Sequence, residues 1–211
     1  SLKIKEEIGD RRGISNSYNN IGIIYKQQGN LPEALKYFYA SLKLVTGNNE
    51  ITLEWKKIAA NAYNNIGEIY EEQGQINESL KNYFASLKIK EEIGNKQGIA
   101  VSYNNIGTLF LKQQKFKEAR SYLNKGLAIS NEINSKDDIK ESYASLSALD
   151  SLEENWKGAY RYQKLFSGIK DSIFNEESSK QMHEMSAKYE TDKKEKEIKL
   201  LNQEKALSES E

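Results

Sequence analysis

Apolar and small side chains recur along this chain in two alternating helical stripes. Tyr18, Ile21, Gly22 and Tyr25 fall at i, i+3, i+4 and i+7, the spacing of one face of an α-helix. Gly29 follows, a residue suited to the left-handed conformation just past a helix end. After Asn30 a second stretch opens with Pro32 in its first turn, where a missing N–H costs nothing. Ala34, Leu35, Phe38 and Leu42 carry that stretch along one stripe. The pattern predicts a hairpin of two helices, with essentially no strand in the chain.

The hairpin is repeated. Tyr18-Asn19-Asn20-Ile21-Gly22 returns as Tyr63-Asn64-Asn65-Ile66-Gly67 and as Tyr103-Asn104-Asn105-Ile106-Gly107, and in degenerate form as Tyr143-Ala144-Ser145-Leu146-Ser147. Ser1-Leu2-Lys3-Ile4, Ser41-Leu42-Lys43-Leu44, Ser86-Leu87-Lys88-Ile89 and Gly126-Leu127-Ala128-Ile129 form a second series with steps of 40, 45 and 40 residues. The longer step comes from an insertion near Gly47-Asn48-Asn49-Glu50. Turn punctuation reappears at Gly74-Gln75-Ile76 and, without glycine, at Gln114-Lys115-Phe116 and Glu154-Asn155-Trp156. Gly22, Gly67 and Gly107 hold one repeat position although glycine costs about 1 kcal/mol inside a helix. Close helix crossing explains them, with Ala34, Ser79, Ala119 and Ala159 as the small residues opposite.

Aromatic, Leu/Ile-Gly, aromatic, Gly, Ala, aromatic and Ala/Ser in this order resembles the tetratricopeptide repeat. In the first full unit these roles fall to Tyr18, Ile21-Gly22, Tyr25, Gly29, Ala34, Phe38 and Ser41. The usual unit has about 34 residues, and the longer step here is similar to Pins/LGN spindle-orientation proteins, Rap-type peptide-sensing regulators and kinesin light chain. The resemblance implies an all-α, right-handed superhelical stack of helical hairpins followed by a long C-terminal helix. The expected array covers residues 1–174: a half repeat at 1–10, then units at about 13–47, 58–94, 98–134 and 138–174. Residues 1–9 match a second helix without its first, which leaves Leu2, Ile4 and Ile8 unpartnered and implies repeats upstream. The fourth unit departs from the pattern, with Asp150 for the second aromatic and Ser147 for the glycine, and reads as a capping repeat.

From 175 to 211 the composition changes to a dense mixture of Lys and Glu without glycine or proline. Met182, Met185 and Tyr189 are expected to lie on the last hairpin, and beyond them Ile198, Leu200, Leu201 and Leu207 give only a thin apolar seam. Two readings stand: a partly solvated helical extension, or the start of a signalling coiled coil. The run from Lys188 to Ile198 resembles the juxtamembrane helix of Bacteroidetes tetratricopeptide sensor proteins. That resemblance implies a membrane-anchored bacterial parent with this region outside the bilayer and a histidine kinase, cyclase or DNA-binding output domain downstream.

Composition narrows the function. Hydrophobic residues at 37% and charged residues at 29% suit a thin core shared between neighbouring units better than one compact core. Thirty-one basic and 31 acidic residues cancel, so no net charge recruits nucleic acid or an anionic membrane. Without cysteine, and with His183 as the sole histidine, no thiolate or multi-imidazole metal site can form, and no cofactor is expected. His183-Glu184 lacks the following residues of a phosphoacceptor, and the glycines are already used in packing and turns, which leaves no phosphate-cradling loop. The chain reads as a non-catalytic module.

With residues advancing about 100° each, Asn16, Asn19, Asn20, Ile23 and Gln27 share an arc of the first helix away from its core face. Asn61, Asn64, Asn65, Glu68 and Glu72 follow in the second unit, then Val101, Asn104, Asn105, Thr108 and Lys112 in the third. In stacked hairpins of this class first helices line the inner groove, so the arc forms a carboxamide ladder there. A carboxamide both donates and accepts, and can hold a peptide group whatever the ligand's side chains. The family resemblance implies ligand backbone at Asn20, Asn65 and Asn105. The alternative is that these asparagines only tie neighbouring first helices together. The expected partner is a protein or extended peptide, and self-association through the C-terminal helix or the N-terminal half repeat is a further expectation. The competing functional class is an assembly scaffold that uses its convex face or its ends.

Overall fold

The computed structural model describes residues 9–47 and 51–208. Among these residues it is all-α, with eight helices and no strand. The helices are α1 (Arg11–Gln27), α2 (Leu31–Thr46), α3 (Leu53–Glu72), α4 (Ile76–Glu92), α5 (Lys96–Lys112), α6 (Phe116–Glu132), α7 (Lys136–Leu152) and α8 (Trp156–Ser208). Expectations for Leu2, Ile4 and Ile8, and for the side chains of Leu200, Leu201 and Leu207, lie outside the described residues.

Each hairpin turn is closed by the same backbone bonds. Gly29 N donates to Lys26 O and Asn30 N to Tyr25 O, both at 2.9 Å, with Gly29 at φ +75°. Gly74 and Gln75 repeat the arrangement. Gln114 and Glu154 do so at φ 59° and 57°, where a side chain makes the left-handed region costly. Where asparagine stands at the cap it also closes the next helix: Asn30 and Asn155 in hairpin turns, and Asn95 between the second and third hairpins, each accept from the backbone N–H three residues on.

Small residues at the hairpin crossings allow close contact. A Cβ on Gly67 would lie 2.7 Å from the Tyr83 ring, one on Gly22 2.8 Å from Phe38, and one on Gly107 2.7 Å from Leu123. Ser79 Oγ donates to Gly67 O at 2.8 Å, and in the fourth hairpin Ser147 Oγ donates to Ala159 O at 3.0 Å.

The apolar core is distributed along the junctions. Phe38 and Leu42 of α2 join Ile58, Ile66 and Ile69 of α3; Tyr83 and Leu87 of α4 join Ile106 and Leu109 of α5; Leu123 of α6 joins Leu146 and Leu149 of α7. Each cluster unites the second helix of one unit with the first of the next, so no hairpin completes its core alone. Residues up to Phe166 form one compact unit and those from Ser167 a second, which is the charged part of α8. In that second unit Phe174, Met182, Met185, Tyr189 and Ile198 are all exposed. No described helix is long and apolar enough to cross a membrane.

Candidate functional site

First helices pack directly on one another at two junctions, α1 on α3 and α5 on α7. One bond recurs at both. Asn19, 6% exposed, donates from Nδ2 to Ile58 O at 3.2 Å, and Asn104, 7% exposed, donates to Asp138 O at 3.4 Å. Ile58 and Asp138 are equivalent positions, separated by two repeat steps. Ser142 Oγ adds a 2.9 Å bond to Asn104 Oδ1, whereas Asn19 Oδ1 is buried and has no partner. These two asparagines therefore tie units together.

The middle junction is different. Asn64, the counterpart of Asn19 and Asn104, donates to Glu68 Oε1 at 2.7 Å, and its Oδ1 accepts from Lys90 Nζ at 3.1 Å. Lys90 also donates to Ser102 Oγ at 2.9 Å, bridging α3 and α5, which stand further apart than the other first-helix pairs. Gly98 makes room for the lysine stem: a Cβ there would lie 2.9 Å from Lys90 Cδ. The same repeat position holds buried Val45 in the first unit and buried Ser130 in the third. Lys90 is itself only 5% exposed, and burial lowers its ammonium to about 8 against a partial opposing pull from Glu68.

The interval Lys90 creates opens into a pocket of about 470 Å³. Asn16, Asn19, Asn20 and Ile23 of α1 and Asn61, Asn64 and Asn65 of α3 line it, together with Lys90, Asn95, Gln97, Gly98 and Val101. Asn16, Asn20 and Asn61 are exposed; Asn65 is half-buried, its Nδ2 bonded to Asn61 O at 3.0 Å. Of the other sequence-derived candidates, Glu68 pairs with Lys26 from the preceding unit, while Lys112 pairs with Glu71 at 2.6 Å. Thr108 Oγ1 bonds back to Asn104 O at 2.9 Å. Asn105 is half-buried, Gln27 and Glu72 are exposed, and none of these three lines the pocket.

Lys90, Asn95, Gln97 and Gly98 escaped the sequence reading. A signal for Lys90 was present: the neighbouring units hold Val45 and Ser130 at this repeat position, whereas lysine stands there both at Lys90 and, in an identical run, at Lys5. Among the described residues no group of three or more His, Asp or Glu side chains is placed to hold a metal ion.

Residues 15–45 and 58–132 match the tetratricopeptide repeat family. The chain is a tetratricopeptide-repeat protein. No curated protein matches it. Among solved structures it is similar to BtubC (BKLC) from P. vanneervenii, at 16% identity and a TM-score of 0.68, covering 82% of this chain and 78% of that one. It is similar also to the apo form of RapI, at 18% identity and TM-score 0.71 over 80% of this chain, and to aspartyl phosphate phosphatase F from Bacillus subtilis, at 11% and 0.69 over 77%. It spans 45% and 42% of the length of those two. Likeness at such identities establishes the fold alone. The repeats themselves make the chain a protein-interaction module, of a class that is generally non-catalytic.

Proposed function

We propose that this module holds an extended segment of a partner protein in the groove lined by α1, α3 and α5, with the partner's backbone against Asn20, Asn61 and Asn65. The observation that carries the reading is the 470 Å³ pocket, where carboxamides from two successive units converge beside an interval held open by Lys90. Asn105 and the more distal Thr108 and Lys112 extend the track into the third unit. Asn19 and Asn104, already bonded across junctions, serve as struts. Each ligand hydrogen bond contributes about 1 kcal/mol net, so several rungs are needed for useful affinity.

The charged stretch of α8 supports a role as the sensor or adaptor region of a larger signalling protein, with output through that helix, as its resemblance to bacterial sensor proteins suggests. A peptide selected from a random library against the whole chain tests the groove reading. Asn20→Ala and Asn65→Ala should each weaken that peptide about fivefold. Unchanged affinity in the double variant would return the asparagines to a purely structural role. An assembly scaffold is the second reading, favoured by the exposure of Trp156 and Tyr160 on the last hairpin.

A further inference from the structure

At the junction of the third and fourth units the repeat breaks its own packing rule on the side of the second helices. The equivalent positions at the two earlier junctions are Leu35 with Tyr70 and Leu80 with Phe110, each packed against an apolar cluster. Here the register puts Arg120 and Asp150 in their place. Asp150 is 1% exposed and Arg120 bonds to it and to Glu153. A short carboxylate does not fill the space of an aromatic ring, and a groove of about 490 Å³ remains between α6 and α8, floored by α7. That volume lies within the usual ligand-pocket range of about 300–1,000 Å³.

The rim of this groove is basic. Lys157, Arg161 and Lys164 line it at i, i+4 and i+7 on α8, all exposed, and none forms an ion pair with a described residue. Arg120 with Asp150 and Glu153 carries one net negative charge, against three rim cations, so the groove and its surroundings remain net positive. Tyr160, 73% exposed, stands among them.

We infer that this groove docks an acidic segment of a partner protein carrying one aromatic anchor. The ring enters the space that Tyr70 and Phe110 fill at the earlier junctions, and flanking carboxylates pair with Lys157, Arg161 and Lys164. This surface is separate from the carboxamide groove and does not depend on it. Charge complementarity sets the partner's sign, and the lost aromatic sets its anchor.

The test uses the full chain and two fluorescein-labelled peptides, Glu-Asp-Glu-Phe-Asp-Glu and its Phe→Ser form, followed by anisotropy. The Phe peptide should bind at least about tenfold tighter than the Ser peptide, and Lys157→Glu/Arg161→Glu/Lys164→Glu should remove binding of both. Arg120→Leu/Asp150→Phe, which rebuilds the earlier junctions and fills the groove, should weaken the Phe peptide about tenfold, whereas Asn20→Ala/Asn65→Ala, in the separate carboxamide groove, should bind it like the native chain. If the filled variant loses helicity, Tyr160→Ala with Lys164→Glu, two exposed positions, carries the same expectation. Equal binding of the Phe and Ser peptides overturns the proposal in favour of a general polyanion surface. Undiminished binding by the groove variants, or loss of binding in the asparagine variant, overturns it as well.

Discussion

Single residues decide how the units meet. Lys90 titrates in the fold at about 8, well under the 10.5 of a free lysine, because burial disfavours its charge. The unfolded chain therefore binds more protons between those values, and stability attributable to this residue rises as pH climbs from about 8 to 10.5. Below pH 8 the fold carries the full cost, on the order of 3 kcal/mol. Urea titrations of the native chain and Lys90→Met across this range should show the difference moving steadily in favour of the native chain. A pH-independent difference would mean that Lys90 is better solvated than its surroundings indicate. Gly67 supplies a second prediction. Gly67→Leu must displace the Tyr83 ring, 2.7 Å from the added Cβ, and overpacking of this kind costs about 1–3 kcal/mol or more. Glu72→Leu, on an exposed face, should change stability by less than about 0.5 kcal/mol. Melting temperatures of the two variants compare these costs directly.

At the scale of the element, hairpins were readable because helix starts, stops and crossings depend on local sequence. Tyr18, Ile21 and Gly22 locate α1, and Gly29 with Asn30 fixes the turn after it, without reference to any distant residue. The same punctuation carried over to Gln114 and Glu154, which adopt the left-handed conformation without glycine's freedom. Gly74→Ala meets no atom within 4 Å, so its cost is purely conformational and should be about 1 kcal/mol. Gln114→Gly should gain up to about 1 kcal/mol, less the extra entropy of an unfolded glycine. Denaturation midpoints moving in opposite directions would support this account of the turns. The start of α3 was less legible: it begins at Leu53, five residues before the expected unit, after an insertion with no counterpart in the other hairpins. The candidate site was only half legible. An arc computed at 100° per residue places Asn19 and Asn20 together, yet the next unit buries Asn19 and leaves Asn20 exposed. The depth of a side chain under a neighbouring unit is a tertiary fact. So is the widening of one junction by Lys90, a residue that belongs to a second helix.

For the whole molecule, the claim is that a partner segment lies against the exposed carboxamides, while the buried ones only hold the units in register. In the proposed mode the Asn-Asn pair divides two jobs: in the first and third units the first asparagine ties neighbouring units together, and the second is left for the ligand. Two-dimensional ¹⁵N–¹H spectra resolve side-chain NH₂ groups individually, and so read this division of labour directly. Titration with the library-selected peptide should shift the NH₂ signals of Asn20, Asn61 and Asn65. Those of Asn19 and Asn104 should move little, and those of Asn124 and Asn131 on α6 not at all. Saturating binding that shifts none of Asn20, Asn61 and Asn65 would contradict the account.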